Sequence, residues 1–232
     1  MPTAWDTIPN KVPKIAICIP YNSDWKPEWV ERTYGPLRYI PTSWCNKLVF
    51  FCKVPSLPVA RDILVNQAIQ SNCDYLLFMD NDHVFETPTD PNEALNLLYH
   101  CMNKSNDKNA ENYKDARIVS GLYRAKQKSG FNWAMWMKYG NKTFTPIKEW
   151  TGNWIKIDVT GLGCCLIDMV VFKDIPKPWF YWEEGDGMSE DFYFYQHAKT
   201  FGYDTHIFTD VKLSHLGNLK VMTDGTITTA DL

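Results

Sequence analysis

The sequence of 232 residues contains no long apolar run. No stretch approaches the roughly 18 consecutive apolar residues that a membrane-spanning helix requires. Residues 1–14 also lack the apolar stretch of a secretory signal peptide. The seven cysteines are an odd number and include no Cys-x-x-Cys pair. We therefore expect free thiols in a reducing compartment, and a cytoplasmic protein without a transmembrane segment.

An excess of positive charge is missing as well. The chain has 24 Lys and Arg residues against 27 Asp and Glu residues, for a formal net charge of -3. Charge therefore does not indicate binding to duplex nucleic acid. Hydrophobic residues make up 45% of the chain, which is enough to bury a sizeable core. The ten tryptophans fit either that core or a surface on which sugar rings stack, and composition does not separate the two.

Apolar runs and helical periodicities alternate along the chain, which predicts an α/β protein. The predicted strands cover residues 14–20, 47–52, 74–79, 117–122, 154–159 and 205–208, with a strand that turns into a helix at 164–172. The predicted helices cover residues 57–71, 93–102 and 190–201. The run at 74–79 is nearly all apolar, so we expect it in the middle of the sheet with both faces covered. Residues 124–153 and those after His215 show no clear pattern.

An acidic turn, Asp80-Asn81-Asp82, follows the central predicted strand directly. Ligands of open α/β sheets bind at the carboxyl ends of strands. Two carboxylates one residue apart can face one point there, and Mg²⁺ or Mn²⁺ prefers such oxygen ligands. The pattern therefore indicates a site for a metal and a diphosphate, with a polar turn as the alternative. His83 comes next and is interpreted as a loop histidine or an additional ligand.

A second acidic pair, Glu190-Asp191, follows the helix cap residue Ser189. Acidic residues stabilise the first turn of a helix, which is a purely structural explanation. The same dipole favours an ionised carboxylate, which can act as a general base. His215 follows a short predicted strand and is either structural or a late metal ligand beside Asp82.

Four segments, taken in order, resemble the GT-A glycosyltransferases, in particular the family-2-like branch with its small microbial and viral members. They are IAICIPYNS at 15–23, PVARDILVNQAIQSNCDYLLFMDND at 58–82, VTGLGCCLIDMVVFKDI at 159–175, and the stretch from SEDF to SHLG at 189–217. The resemblance implies one GT-A-like domain over 1–232. Its Rossmann-like, mostly parallel central sheet would be flanked by helices and accompanied by a smaller acceptor-side sheet. Residues of about 14–123 would form the nucleotide-sugar half, 124–217 the acceptor half and 218–232 a tail.

The resemblance also implies a site and a reaction. The cofactor would be Mn²⁺ or Mg²⁺, held by Asp80, Asp82 and His215, with Asp82 the more direct ligand. The acidic pair would be catalytic, with Asp191 as the base beside Glu190. The nucleotide-sugar donor would contact Pro20, Tyr21, Asn22, Arg61, Asp80, Asn81 and Gly163.

Further expectations concern the sugar and the acceptor. Gly161 and Gly163 would let the backbone approach the sugar closely, while Trp182 and Glu183 would line the acceptor side. UDP is the preferred nucleotide, with Asp24 as a possible uridine contact. The acceptor stays open among a glycan, a lipid, a small molecule, a protein and a modified nucleobase.

The chain departs from the family pattern in two places. Residues 124–153 match nothing in it, and an acidic, glycine-containing run at 183–187 precedes the acidic pair. Some related enzymes retain anomeric configuration with a similar acidic pair, so the role of Asp191 and the stereochemistry stay open.

Three other functions are compatible with parts of the sequence. A phosphatase of the haloacid dehalogenase class would use Asp80 as nucleophile and Asp82 as acid/base. That class usually carries its first motif near the N-terminus, however, and the run WFYWEE at 179–184 is not an aliphatic strand. A nucleotidyltransferase would need a glycine-rich loop where this chain has PYNSDW at 20–25. A non-catalytic carbohydrate-binding module would use the tryptophans but would not require the acidic motifs.

Overall fold

A computed structural model shows a sheet protein with few helices. It describes residues 12–21, 24–40, 42, 45–86, 94–95, 116–125, 132–140, 143–182, 188–216, 219–221, 223 and 227–229. The strands in chain order are β1 (Lys14–Pro20), β2 (Asn46–Cys52), β3 (Tyr75–Met79), β4 (His83–Phe85), β5 (Ile118–Leu122), β6 (Met135–Tyr139), β7 (Thr143–Pro146), β8 (Trp154–Ile157), β9 (Val159–Thr160), β10 (Cys164–Asp168), β11 (Thr205–His215), β12 (Leu219–Val221) and β13 (Ile227–Thr229).

The described helices lie on both sides of the sheet. They are α1 (Pro27–Trp29), which continues through a π-helical turn (Val30–Tyr34) into α2 (Gly35–Arg38), then α3 (Leu57–Gln70), α4 (Met169–Asp174) and α5 (Glu190–Thr200). A proline stands in the first turn of α1 and of α3, where its missing N–H costs no hydrogen bond. None of the helices in the described part of the chain is long and apolar enough to cross a membrane.

The large sheet has the strand order β13-β12-β11-β5-β10-β3-β1-β2, and β4 and β8 also pair with β11. Strand β1 is parallel to β2 and β3, and β11 is parallel to β5. Strand β10 runs antiparallel to both β3 and β5. Five of these six central strands therefore point the same way. A second sheet has the order β7-β6-β9. The predicted fold class, a mostly parallel central sheet with a smaller second sheet, is confirmed.

Strand β1 shows why the central strands are apolar without interruption. Ile15, Ile17 and Ile19 pack in one core cluster, and Ala16 and Cys18 pack in the cluster on the opposite face. Strand β3 alternates between the same two clusters. One cluster is covered by α1 and α2, and the other by α3, α4 and α5. Burying a large aliphatic side chain contributes about 1.5–3 kcal/mol, so both layers hold the sheet in place.

The strand directions bring distant segments to one edge of the sheet. Strands β1, β3 and β5 end there, and the antiparallel β10 begins there. The N–H of Asp80 donates to the carbonyl of Gly163 (3.0 Å), which ties the end of β3 to the start of β10. Strand β4 then pairs with the end of β11, with His83 opposite His215. This edge carries the predicted motifs.

The structure differs from the sequence prediction in several elements. Strand β11 extends to His215 instead of ending at residue 208, because after a register shift its last part gains β4 as a partner. The unassigned stretch 124–153 contains β6 and β7, and the patternless C-terminal stretch contains β12 and β13. The predicted helix at 93–102 lies outside the described residues except for 94–95.

Candidate active site

A cavity of about 330 Å³ opens at this edge of the sheet. Seven residues that the sequence singled out for the site line it together: Arg61, Asp80, Asp82, Gly163, Glu190, Asp191 and His215. A smaller cavity of about 130 Å³ shares Asp80 and Asp82 with it and is lined by Pro20, Tyr21 and Asn81. Asn22 and Glu183 lie outside the described residues. The predicted donor-binding and catalytic residues thus meet, as far as they are described, in two neighbouring cavities.

The backbone of the acidic turn is held from several sides. The carbonyl of Asp80 accepts from Nε1 of Trp29 (3.1 Å) and from the N–H of His83 (3.3 Å). The carbonyl of Asp82 accepts from the N–H of Leu216 (2.6 Å), just beyond β11. These bonds hold the backbone from which both aspartate side chains project.

Asp82 lies between two histidines. Its Oδ1 is 2.8 Å from Nδ1 of His83, and its Oδ2 is 3.3 Å from Nε2 of His215. Burial alone would raise the pKa of Asp82, but His83 and His215 hold it well below its usual range. Asp82 is therefore a carboxylate at neutral pH, and possible ligand atoms of all three residues lie within 4.8 Å of one another.

The geometry of this group fits a divalent cation. Nδ1 of His215 lies 3.1 Å from the carbonyl of Arg124, which can only accept, so Nδ1 carries the proton. In the neutral ring Nε2 then presents a lone pair to Oδ2 of Asp82, and two lone pairs repel unless a proton or a cation lies between them. Two ligands of a metal at about 2.1 Å lie roughly 3.0–3.4 Å apart in octahedral or tetrahedral geometry. The observed 3.3 Å falls in that range.

Asp80 faces a different partner. Its Oδ2 accepts from Nη2 of Arg61 (3.3 Å), whereas its Oδ1 is buried without a hydrogen-bond partner among the described residues. Oδ1 thus has acceptor capacity that none of the described residues uses. The group of close ligand atoms consists of Asp82, His83 and His215 and does not include Asp80, so ligation by Asp80 stays a prediction.

Arg61 links the two acidic motifs. Its side chain is only 2% exposed, and its Nε donates to Oε1 of Glu190 (3.3 Å) while Nη2 reaches Asp80. Burial alone would lower the pKa of Arg61, but the carboxylates of Asp80, Glu190 and Asp191 raise it above its ordinary value. The guanidinium thus stays charged and ties the first turn of α5 to the end of β3.

The two carboxylate oxygens of Asp191 have different surroundings: Oδ1 accepts hydrogen bonds, and Oδ2 lies near Gly161. Oδ1 accepts from the Ser189 hydroxyl and from the N–H of Phe192 (2.8 Å). Oδ2 lies 3.5 Å from the point that a Cβ at Gly161 would occupy. Burial, with the neighbouring charge of Glu190, raises the pKa of Asp191 to about 7. A carboxylate with this pKa can take a proton near neutral pH.

The two glycines before β10 leave room for His83 and for Tyr123, of which only Tyr123 had no predicted role. A Cβ at Gly163 would lie 2.4 Å from Cε1 of His83, and one at Gly161 would lie 2.7 Å from the Tyr123 hydroxyl. The N–H of Gly163 donates to that hydroxyl (3.2 Å). Tyr123 comes directly after β5, at the carboxyl end of a central strand, and that position was a signal for a site residue.

Of the two residues predicted to line the acceptor side, the structure describes Trp182 and not Glu183. Trp182 lines the cavity of about 330 Å³ and is 55% exposed. Trp136, from the otherwise unassigned β6, lines the same cavity and packs against Phe192 of α5 (5.1 Å between ring centroids). The second sheet thus contributes a wall of the cavity.

No protein-family model matches this chain, and no curated protein matches it in sequence. Among solved structures, A197 from STIV is similar with a TM-score of 0.60 and 16% identity, covering 94% of this chain and 95% of that chain. A glycosyltransferase involved in the glycosylation of the major capsid of PBCV-1 has a TM-score of 0.35 and 12% identity, covering 72% of this chain and 70% of its own. An apo UDP-glucose pyrophosphorylase has a TM-score of 0.41 and 7% identity, covering 84% and 73%. The likeness to A197 shows a shared fold, and the two lower scores carry no argument about function.

Proposed function

We propose that this protein is a metal-dependent glycosyltransferase that moves a sugar from a nucleotide-sugar donor to a hydroxyl acceptor. The observation that supports this most directly is the meeting of Asp82, His215 and Asp191 on one cavity at the carboxyl edge of the sheet. Sugar transfer to a hydroxyl requires a group that stabilises the negative charge on the leaving diphosphate, which a bound cation would do. It also requires a base that accepts the proton of the acceptor hydroxyl, which a carboxylate can do.

The donor would bind across the two neighbouring cavities. Asp82 and His215 would hold Mn²⁺ or Mg²⁺, with Asp80 as the further predicted ligand. The bound cation would offset the negative charge that the nucleoside diphosphate gains as it leaves. Pro20, Tyr21 and Asn81 would then contact the nucleotide in the smaller cavity. UDP is the nucleotide we expect first.

Asp191 would act on the acceptor. Because Ser189 and the backbone hold Oδ1, only Oδ2 can turn toward a hydroxyl in the cavity. The absence of a side chain at Gly161 leaves space beside that oxygen. Arg61 and Glu190 would hold the start of α5 so that this oxygen stays in place. The exposed ring of Trp182 would border the acceptor, whose class stays open.

A thermal-shift screen with UDP-, GDP-, dTDP- and CMP-sugars, each with and without Mn²⁺, tests the proposal. A ligand at a hundred times its dissociation constant stabilises the folded state by about 2.7 kcal/mol. For a chain of this size that is a rise of roughly 5–11 °C in Tm. We expect such a rise with one nucleotide class, and only when Mn²⁺ is present.

The Asp82→Ala variant should lose the Mn²⁺-dependent rise and keep the Tm of the unliganded protein within a few degrees. Asp204→Ala is a matched control, because Asp204 pairs with Lys156 on the surface and lines neither cavity. Transfer is then measured with the nucleotide sugar that binds. A screen without any shift, together with phosphate release from phosphomonoesters, would replace the proposal with the phosphatase alternative.

A further inference from the structure

His83 is the most enclosed side chain of the candidate metal group. The residue is 3% exposed, and its ring lies 4.2 Å from the ring of His215 and 4.4 Å from that of Tyr123, measured between centroids. The backbone of Gly163 closes a further side, since a Cβ there would lie within 2.4–2.7 Å of three ring atoms. Contacts on so many sides leave the ring little freedom to rotate.

The hydrogen bond of His83 determines which nitrogen carries a proton. Nδ1 lies 2.8 Å from Oδ1 of Asp82, and a carboxylate oxygen only accepts. Nδ1 is therefore the donor, and it has no lone pair to offer a cation. The other nitrogen, Nε2, is buried and has no partner among the described residues.

The ring planes also argue against His83 as a ligand. A metal bound by imidazole lies near the ring plane, at about 2.1 Å from the nitrogen. The rings of His83 and His215 are stacked with an interplanar angle of 28°. Because the ring centroids are 4.2 Å apart and the planes are nearly parallel, the two planes intersect farther from either ring than a metal–nitrogen bond reaches. One cation therefore cannot lie in both planes unless a ring leaves its packed position.

We propose that His83 is a positioning residue of the cation site and is not a ligand. It holds Oδ1 of Asp82 by a hydrogen bond and holds the ring of His215 by stacking. Oδ2 of Asp82 and Nε2 of His215 are thereby left facing each other as the pair that binds the cation. This inference rests on the cation site of the proposed function, but it does not depend on sugar transfer.

The strand pairing gives the arrangement its stability. His83 on β4 stands directly opposite His215 on β11, and side chains on directly opposed residues of antiparallel strands lie in contact. The stack is thus built by the sheet before a cation binds. Partners that orient a ligand from outside the coordination shell typically change metal affinity by about 10–100-fold when removed.

The first experiment uses the full chain with Mn²⁺ alone and no nucleotide. Pulsed electron paramagnetic resonance of bound Mn²⁺ counts the nitrogen nuclei coordinated directly. We expect one, from His215. Two coordinated nitrogens would make His83 a ligand and overturn the inference, and this outcome requires no variant to fold.

Variants then separate the hydrogen bond from the stack. His83→Phe keeps a flat ring but cannot donate, and should weaken Mn²⁺ binding by about 10–100-fold while the nitrogen count stays at one. His83→Asn restores a donor close to the position of Nδ1 and should recover part of that loss. His197→Phe, on α5 but lining neither of the two site cavities, is the matched control and should bind Mn²⁺ as the native chain does. Unchanged affinity in His83→Phe would overturn the inference.

The outcomes also separate this inference from the proposed function. Binding of Mn²⁺ through one nitrogen, without any sugar transfer, would leave the role of His83 standing and remove the transferase. Absence of Mn²⁺ binding by the native chain would remove both.

Discussion

The buried guanidinium of Arg61 offers the sharpest test of how the site is held. Replacing it with methionine keeps an unbranched stem of similar length and removes the charge. Glu190, whose side chain is 4% exposed, would then be a buried carboxylate without its cation, and Asp80, at 23%, would lose the same partner. Because solvent screens Asp80 in part, most of the cost should come from Glu190.

Removing one partner of a buried ion pair costs about 3–5 kcal/mol. For a chain of 150–250 residues each kcal/mol corresponds to about 2–4 °C in Tm. We therefore expect Arg61→Met to lower the Tm by roughly 6–20 °C. A carboxylate buried without a cation has a raised pKa, so the folded variant binds protons more readily than the unfolded chain. The loss should therefore shrink as the pH falls.

Urea unfolding of Arg61→Met near neutral and at mildly acidic pH measures both effects. The double variant Arg61→Met/Glu190→Gln should be more stable than Arg61→Met alone at neutral pH, because it no longer buries an unpaired charge. Arg117→Met is the matched control, since Arg117 pairs with Asp168 while 43% exposed. That change should cost about 0–1 kcal/mol. A loss below about 1 kcal/mol in Arg61→Met, or strictly additive effects in the double variant, would refute the reasoning.

Four further predictions concern the remaining parts of the site. Asp191→Asn should retain Mn²⁺-dependent donor binding and lose transfer, and transfer by the native chain should rise with pH through about 7, where Asp191 loses its proton; a flat pH profile would contradict this. Because the pKa of Asp191 is higher in the folded state than in the unfolded chain, the folded state loses stability as the pH rises from the unfolded-state pKa to about 7. That loss persists above pH 7, so Asp191→Asn should be more stable than the native protein there. Gly163→Ala should displace His83, cost about 1–3 kcal/mol in urea unfolding and weaken Mn²⁺ binding, whereas Gly202→Ala, which meets no atom within 4 Å, should leave Mn²⁺ binding unchanged. Titration calorimetry should show Mn²⁺ affinity falling as the pH is lowered, because His215 must bind the cation unprotonated; affinity independent of pH would argue against His215 as a ligand.

The central strands could be predicted because the chain marks them locally. Strand β1 coincides with the apolar run that stops at Pro20, and β3 begins one residue later than predicted and ends before Asp80. A strand covered on both faces needs no polar alternation, so a plain apolar run is a sufficient signal. The acidic turn could be placed for the same reason, since it follows directly from the end of β3.

The role of His83 could not be predicted from its neighbours in sequence. It depends on the register between β4 and the end of β11, two segments far apart in the chain. The three residues of β4 give no periodicity, and β11 had no visible pattern beyond residue 208 because its partner changes there. Arg61 was singled out as a donor contact, but its tie to Glu190 also required the packing of α5 on the sheet.

The position of β10 has a consequence for how the chain folds. Among the described strands, β5 pairs only with β10 and β11, although β1, β2 and β3 precede it in sequence. A nascent chain that has emerged only to residue 123 therefore has no neighbouring strand for β5, and β3 lacks its second one. Pairing over such long separations is slow, and unpaired strands are prone to associate with other chains. Strand β5 has both of its partners only once β11 has been synthesised. A chain released before that point should therefore aggregate and should not fold into an independent N-terminal domain.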